Sequence, residues 1–149
     1  MDILLVEDNE GDVRLLREAL AEVNQTARLH VVGDGLEALA FLRYQGQYLD
    51  APRPNVILLD LHMPRMGGIE VLAQIKGDPW FKTIPIIVLT SSPSEMHIAK
   101  CYGLMANCYL VKPQEWKEFE GLIKSLNDFW LTEVTFHEVG QPPAPPLNG

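Results

Sequence analysis

Four short apolar runs in this chain each end on a side chain that could do chemistry. Residues 3–6 run into Glu7 and Asp8, residues 56–59 into Asp60, residues 86–89 into Thr90, and residues 108–111 into Lys112 and Pro113. Taken singly, these are ordinary cap and turn residues. Taken together, each at the end of a run, they amount to three carboxylates, a hydroxyl and an ammonium. Carboxylates brought to about 4 Å repel by on the order of 4 kcal/mol per pair at an effective dielectric near 20. Either one of them protonates or a cation joins them, and an all-oxygen site of this kind suits Mg²⁺. Mg²⁺, a lysine and a hydroxyl around a carboxylate are competent for phosphoryl transfer, where positioning and charge neutralisation dominate. Asp60, on the middle strand of the group, is the candidate nucleophile and would form an acyl phosphate.

These side chains converge only if the runs are neighbouring parallel strands. Five runs rich in Ile, Leu and Val, at 3–6, 29–32, 56–59, 86–89 and 108–111, predict strands buried on both faces. Helical spacing fills the gaps: Val13, Leu16, Leu20 and Val23; Leu36, Leu39, Ala40 and Leu42; Ile69, Leu72 and Ile75. A fourth helix is expected over about 94–102, and a fifth carries Trp116, Phe119, Leu122, Ile123 and Leu126. Asp12 falls in a first helical turn, Gly35 and Gly68 open helices, and Gly77-Asp78-Pro79 closes one. Strand starts roughly 22 to 30 residues apart leave room for helical crossovers. The predicted fold is α/β: a doubly wound (βα)5 three-layer sandwich, flavodoxin-like, with parallel sheet order 2-1-3-4-5. Ligands of such sheets bind outside the carboxyl ends of the strands, where the chemical set lies.

Composition narrows the function classes. The chain has 149 residues, a formal charge of −8 and two cysteines. That acidity argues against a nucleic-acid-coating surface. Two cysteines exclude a disulfide framework and a four-ligand zinc site. No apolar run reaches the ~20 residues of a membrane span, and no charged-then-apolar leader opens the chain, so the expected setting is a reducing cytoplasm without membrane contact.

The chain resembles the receiver domains of bacterial two-component response regulators. The resemblance rests on Ile3-Leu4-Leu5-Val6-Glu7-Asp8 and on Ile57-Leu58-Leu59-Asp60-Leu61-His62-Met63-Pro64 with Gly67-Gly68. Ile86-Ile87-Val88-Leu89-Thr90-Ser91 and Tyr109-Leu110-Val111-Lys112-Pro113 complete it. It implies a non-enzymatic switch in which Asp60 accepts a phosphoryl group from a sensor histidine kinase. Glu7, Asp8, Asp60 and the backbone carbonyl of His62 would hold Mg²⁺. Thr90 and Lys112 would contact the phosphoryl group, and Tyr109 would turn inward with Thr90 on activation. The resemblance also implies a cis peptide bond before Pro113. His62 and Ser92, each two residues past a site residue, are expected to flank the approach of water and tune phosphoryl lifetime. His97 reads as an exposed residue of the fourth helix.

The receiver is expected over 1–127, followed by an extension at 128–136 and a disordered, Pro-rich tail at 137–149. Together with the long loop at 43–55, that extension resembles the single-domain regulators paired with bacterial and cyanobacterial phytochrome kinases. Trp130, Val134 and Phe136 alternate with Leu131, Glu133 and Thr135 in a period-two pattern, and such large apolar residues, Phe129 included, need cover, so a homodimer arm is expected. With no output domain evident, signalling to an unknown downstream protein would use the fourth helix, fifth strand and fifth helix. Two rivals share the nucleophile or the fold: an aspartyl-phosphate phosphatase of the haloacid dehalogenase type, with His62 as acid, and an FMN binder. A binding module that works without phosphorylation is a third.

Overall fold

The computed structural model describes residues 1–130. Five strands alternate with five helices: β1 (Asp2–Val6), α1 (Glu10–Val23), β2 (Arg28–Val32), α2 (Gly35–Leu42), β3 (Val56–Leu59), α3 (Gly68–Gly77), β4 (Ile86–Thr90), α4 (Glu95–Gly103), β5 (Cys108–Val111) and α5 (Trp116–Trp130). All neighbouring strands pair in parallel, in the expected order β2-β1-β3-β4-β5.

Strand periodicity sorts the side chains into two cores. Ile3, Leu5, Val56, Leu58, Ile87 and Leu89 face α1 and α5, meeting Leu16, Leu20, Phe119 and Ile123. Leu4, Val6, Ile57, Leu59 and Val88 face the other way, onto Leu39, Val71, Leu72, Ile75 and Cys101 of α2, α3 and α4. The three central strands β1, β3 and β4 are buried along their whole length, which is why their sequences are unbroken apolar runs. The outer strands differ from the expectation: β2 and β5 are only partly buried, because each has a neighbour on one side alone.

Side-chain caps set three of the helix starts. Asn9 accepts from the Asp12 N–H, Asp34 from the Glu37 N–H and Ser94 from the His97 N–H. A cap and not a first turn is therefore the role of Ser94. Gly68 opens α3 against the backbone of β3's last residues: a Cβ there would stand 2.2 Å from the Asp60 carbonyl oxygen. Only glycine lets α3 start so close to the candidate nucleophile.

The long loop at 43–55 is ordered by a short helical turn (Gly46–Tyr48), by Tyr48 packed on Phe41, and by the Arg53 guanidinium 4.5 Å over the Trp80 ring. The chain's final described segment departs from expectation. Phe129 and Trp130 continue α5 and do not begin an extended arm after Asn127. The spacing Leu122, Ile123, Leu126 simply runs on by three and four residues, with no proline or glycine to stop it. Val134 and Phe136, and the tail expected over 137–149, lie outside the described residues.

Candidate functional site

The sheet's hydrogen-bond ladder runs past the strand ends and fixes the first two site residues. The Glu7 N–H donates to the Val32 carbonyl and the Asp60 N–H to the Val6 carbonyl, both at 3.0 Å. One carboxylate oxygen from each of Glu7, Asp8 and Asp60 lies within 4.8 Å of the other two. Glu7 and Asp60 are 3% and 6% exposed, while Asp8 faces solvent. Backbone donors hold the orientation: Leu61 N–H gives to Asp60 Oδ1 at 2.9 Å, and Asp8 N–H to Glu7 Oε2 at 3.1 Å.

Too much negative charge is gathered here for the protein groups alone to balance. Burial, followed by the neighbouring Asp60 carboxylate, pushes the Glu7 carboxyl up to about 7 despite the opposing pull of Lys112. The donor set is all oxygen, partly buried and partly open to water, which fits a hard divalent cation that keeps some of its own waters.

Lys112 enters from the end of β5 and is almost covered, its side chain 10% exposed. Its amine donates to Glu7 Oε1 and, at 2.9 Å, to Asp12 Oδ2. Burial works against its charge, yet the Glu7 and Asp12 hydrogen bonds and the nearby Asp60 raise its pKa above the ordinary lysine value. Asp60 thus acts on Lys112 through space, while the hydrogen bonds go elsewhere. Asp12 is a site residue that sequence reasoning left as a helix-start acid; its place in the first turn of the helix that follows Glu7 and Asp8 was the available signal.

Thr90 is the last residue of β4, the strand between those that deliver Asp60 and Lys112. It is fully buried, and its Oγ1 has no hydrogen-bond partner among the described residues. A buried hydroxyl without a protein partner is rare, and this one is free to bond a water or an incoming acceptor. Tyr109 is 9% exposed, with its hydroxyl donating to the Ser92 carbonyl at 2.8 Å.

A second ring of residues surrounds the mouth. Ser92 Oγ and His97 Nδ1 are 2.8 Å apart, and the His97 ring meets the exposed His62 ring edge-on at 5.8 Å. His97 is therefore half-buried and engaged, contrary to its reading as a merely exposed helix residue. On the opposite side, Arg65 takes a left-handed backbone conformation (φ 63°) and pairs with the buried Asp34 carboxylate. Asp34 is desolvated, but the Glu37 N–H and Arg65 hold its carboxyl below the ordinary range. This ion pair, with the Gly35 N–H donating to the Met66 carbonyl, ties down the loop that carries His62. One expectation fails outright: no peptide bond among the described residues is cis, so the bond before Pro113 is trans. Trans is the isomer that X-Pro bonds prefer by about 0.5–1 kcal/mol, and from it Lys112 reaches Glu7 and Asp12.

Comparison with known proteins agrees with this geometry. Residues 3–124 match the family model described as response regulator receiver domain. The chain is 46% identical over 133 residues to response regulator Rcp1 of Synechocystis sp., covering 89% of this chain and 90% of that protein. Among solved structures, the phosphorylated cyanobacterial phytochrome response regulator RcpA superposes with a TM-score of 0.87 at 44% identity, covering 92% of this chain and 98% of RcpA. The Mn²⁺-bound form of Rcp1 superposes with a TM-score of 0.83 at 42% identity, covering 95% and 99%.

Proposed function

Because this chain belongs to the response regulator receiver domain family, we propose that it is a single-domain phosphoacceptor whose Asp60 takes a phosphoryl group from a sensor histidine kinase. The observation that carries this reading is the gathering of Asp60 with Glu7 and Asp8, beside a buried lysine and a hydroxyl that lacks a partner.

A carboxylate oxygen of Asp60 attacks phosphorus in line with the P–N bond of a donor phosphohistidine. The P–O bond forms as the P–N bond breaks, and its electron pair stays with the imidazole nitrogen of the donor. A Mg²⁺ ion held by Glu7, Asp8, Asp60 and the His62 carbonyl would supply positive charge to the phosphoryl oxygens. Lys112, an ammonium with three N–H donors, keeps Asp12 as one partner and has donors free for a phosphoryl oxygen when Glu7 holds the ion. Thr90 Oγ1 gains in the new dianion the acceptor it lacks. His62 and Ser92, joined through His97, stand where water would approach and govern how long the acyl phosphate survives.

The named phytochrome regulators among its relatives support a phytochrome-type kinase in the cytoplasm as donor. Residues past Asn127 are proposed to join two copies into a homodimer, and the face formed by α4, β5 and α5 to carry the signal to a downstream protein. Incubation with acetyl phosphate and Mg²⁺, followed by intact-mass measurement, tests the core of the reading. A single phosphoryl adduct is expected on the wild type and none on Asp60→Asn; an adduct on both moves the acceptor elsewhere. Light scattering of a chain ending at Asn127 tests the dimer, which should dissociate to monomers.

A further inference from the structure

Glu7 is asked to serve two cations. Its Oε1 accepts from the Lys112 amine, while the same carboxylate belongs to the trio that would hold a divalent ion. When a divalent ion takes Glu7, Lys112 is left nearly covered, 10% exposed, with a second positive charge close by. A buried ammonium that loses its partner is costly, so the ion would in effect have to strip Lys112 of its counter-charge.

Asp12 removes that conflict. It holds Lys112 at 2.9 Å, stands outside the carboxylate trio, and sits on the first turn of α1, anchored by its own N–H on the Asn9 side chain. Its side chain is 33% exposed, so it stays in contact with water while it holds the lysine. We propose that Asp12 is a positioning residue: it keeps the Lys112 amine paired when Glu7 turns to a divalent cation, and so lets metal and lysine occupy the site together. This rests on the reading of Glu7, Asp8 and Asp60 as a metal-dependent phosphoacceptor site.

Without Asp12, Lys112 must cling to Glu7, and metal binding has to break that contact. The effect therefore runs through Lys112 and vanishes when Lys112 is neutral. Calorimetric titration with Mg²⁺, at one pH and ionic strength and without any phosphodonor, reads this directly for the wild type, Asp12→Asn, Lys112→Gln and the double variant. Asp12→Asn is expected to weaken Mg²⁺ binding about five- to ten-fold in the wild-type background and less than about two-fold beside Lys112→Gln. Asp12→Glu, which keeps the carboxylate, should recover most of the affinity. An equal loss in both backgrounds would mean that Asp12 acts only through the general field, and overturns the proposal, as does an Asp12→Asn affinity within two-fold of wild type. A wild-type protein that binds no Mg²⁺ overturns the metal reading itself, a separate outcome. Circular dichroism of the metal-free variants checks the fold, and a folded Asp12→Asn with unchanged melting but weakened Mg²⁺ binding supports the positioning role over a structural one.

Discussion

The metal-free protein should lose stability as pH rises from 5 to 8, opposite to the usual behaviour of a protein rich in paired carboxylates. The cause is Glu7, raised from an ordinary 4.5 to about 7 by burial and by Asp60, against Lys112. A carboxyl raised on folding binds its proton more tightly in the folded state than in the unfolded one. Between the two values the folded state therefore holds more protons, and stability falls with pH. At about 1.4 kcal/mol per pH unit, the ceiling on this effect is about 3 kcal/mol, complete near pH 8. Sharing of charge with Lys112 brings the expected loss to about 1–3 kcal/mol, or several degrees of melting temperature for a chain of this size. Asp2 and Asp34 do not confuse the window. Asp2 lies below its ordinary value chiefly through Arg28, and Asp34 does so despite burial, through Glu37 and Arg65. Their contributions are fully present above the unfolded carboxyl range and are lost only towards lower pH.

The assay is urea unfolding in chelator at pH 5, 6, 7 and 8, at constant ionic strength, repeated with saturating Mg²⁺. With the cation present the trend should flatten or reverse, because the ionised form of Glu7 is then the one that is bound. A metal-free stability that stays level or climbs over this range would refute the reasoning, since it would mean that Glu7 is already balanced by Lys112 and the pocket is not short of positive charge.

Other substitutions separate stability from function. Thr90→Val replaces a buried hydroxyl without a partner by a methyl of the same shape. It should leave urea stability unchanged or raise it by about 1 kcal/mol, while phosphorylation by acetyl phosphate slows. Gly68→Ala drives a Cβ to 2.2 Å from the Asp60 carbonyl oxygen, and should cost about 2 kcal/mol or more in unfolding free energy and displace the acceptor, seen as a lost mass adduct. His97→Ala removes the ring that meets His62 and the partner of Ser92 Oγ; the acyl phosphate should then hydrolyse several-fold faster in a phosphate-release assay, with little change in melting temperature.

The strand ends were legible in the sequence because the central strands are buried on both faces. Such strands must be written as unbroken apolar runs, so the first polar residue after each run marks the carboxyl edge of the sheet. Glu7, Asp8, Asp60, Thr90 and Lys112 could be found in that way. The partners of those residues could not. Asp12 is a site residue only because β5 delivers Lys112 to α1, 100 positions away in the chain. The Asp34–Arg65 pair likewise joins two loops 31 residues apart. His97 looked like one more polar residue on an exposed helix; its engagement depends on the N-cap geometry at Ser94, which turns the first turn of α4 toward Ser92. The end of α5 was misplaced for a different reason: alternation through 130–136 imitates a strand, while Phe129 and Trp130 also satisfy helical spacing, and α5 runs through both.

Ser92 is the place where a charge change at Asp60 can become a change of surface. It lies two residues past Thr90, its carbonyl accepts from the Tyr109 hydroxyl, and its Oγ contacts His97 and the Ser94 N–H at the start of α4. Tyr109 is held by that bond with its ring largely buried. What can change is the segment from Thr90 to Ser94, if a phosphoryl oxygen draws the Thr90 hydroxyl. Moving a two-state equilibrium from about 1:99 to 99:1 takes roughly 5.5 kcal/mol. A hydrogen bond to a charged acceptor contributes about 1.5–3 kcal/mol, relief of the buried hydroxyl included. A Thr90–phosphoryl bond would therefore supply about a quarter to a half of a full switch, and the bonds at Ser92 join that segment to β5 and to the first turn of α4.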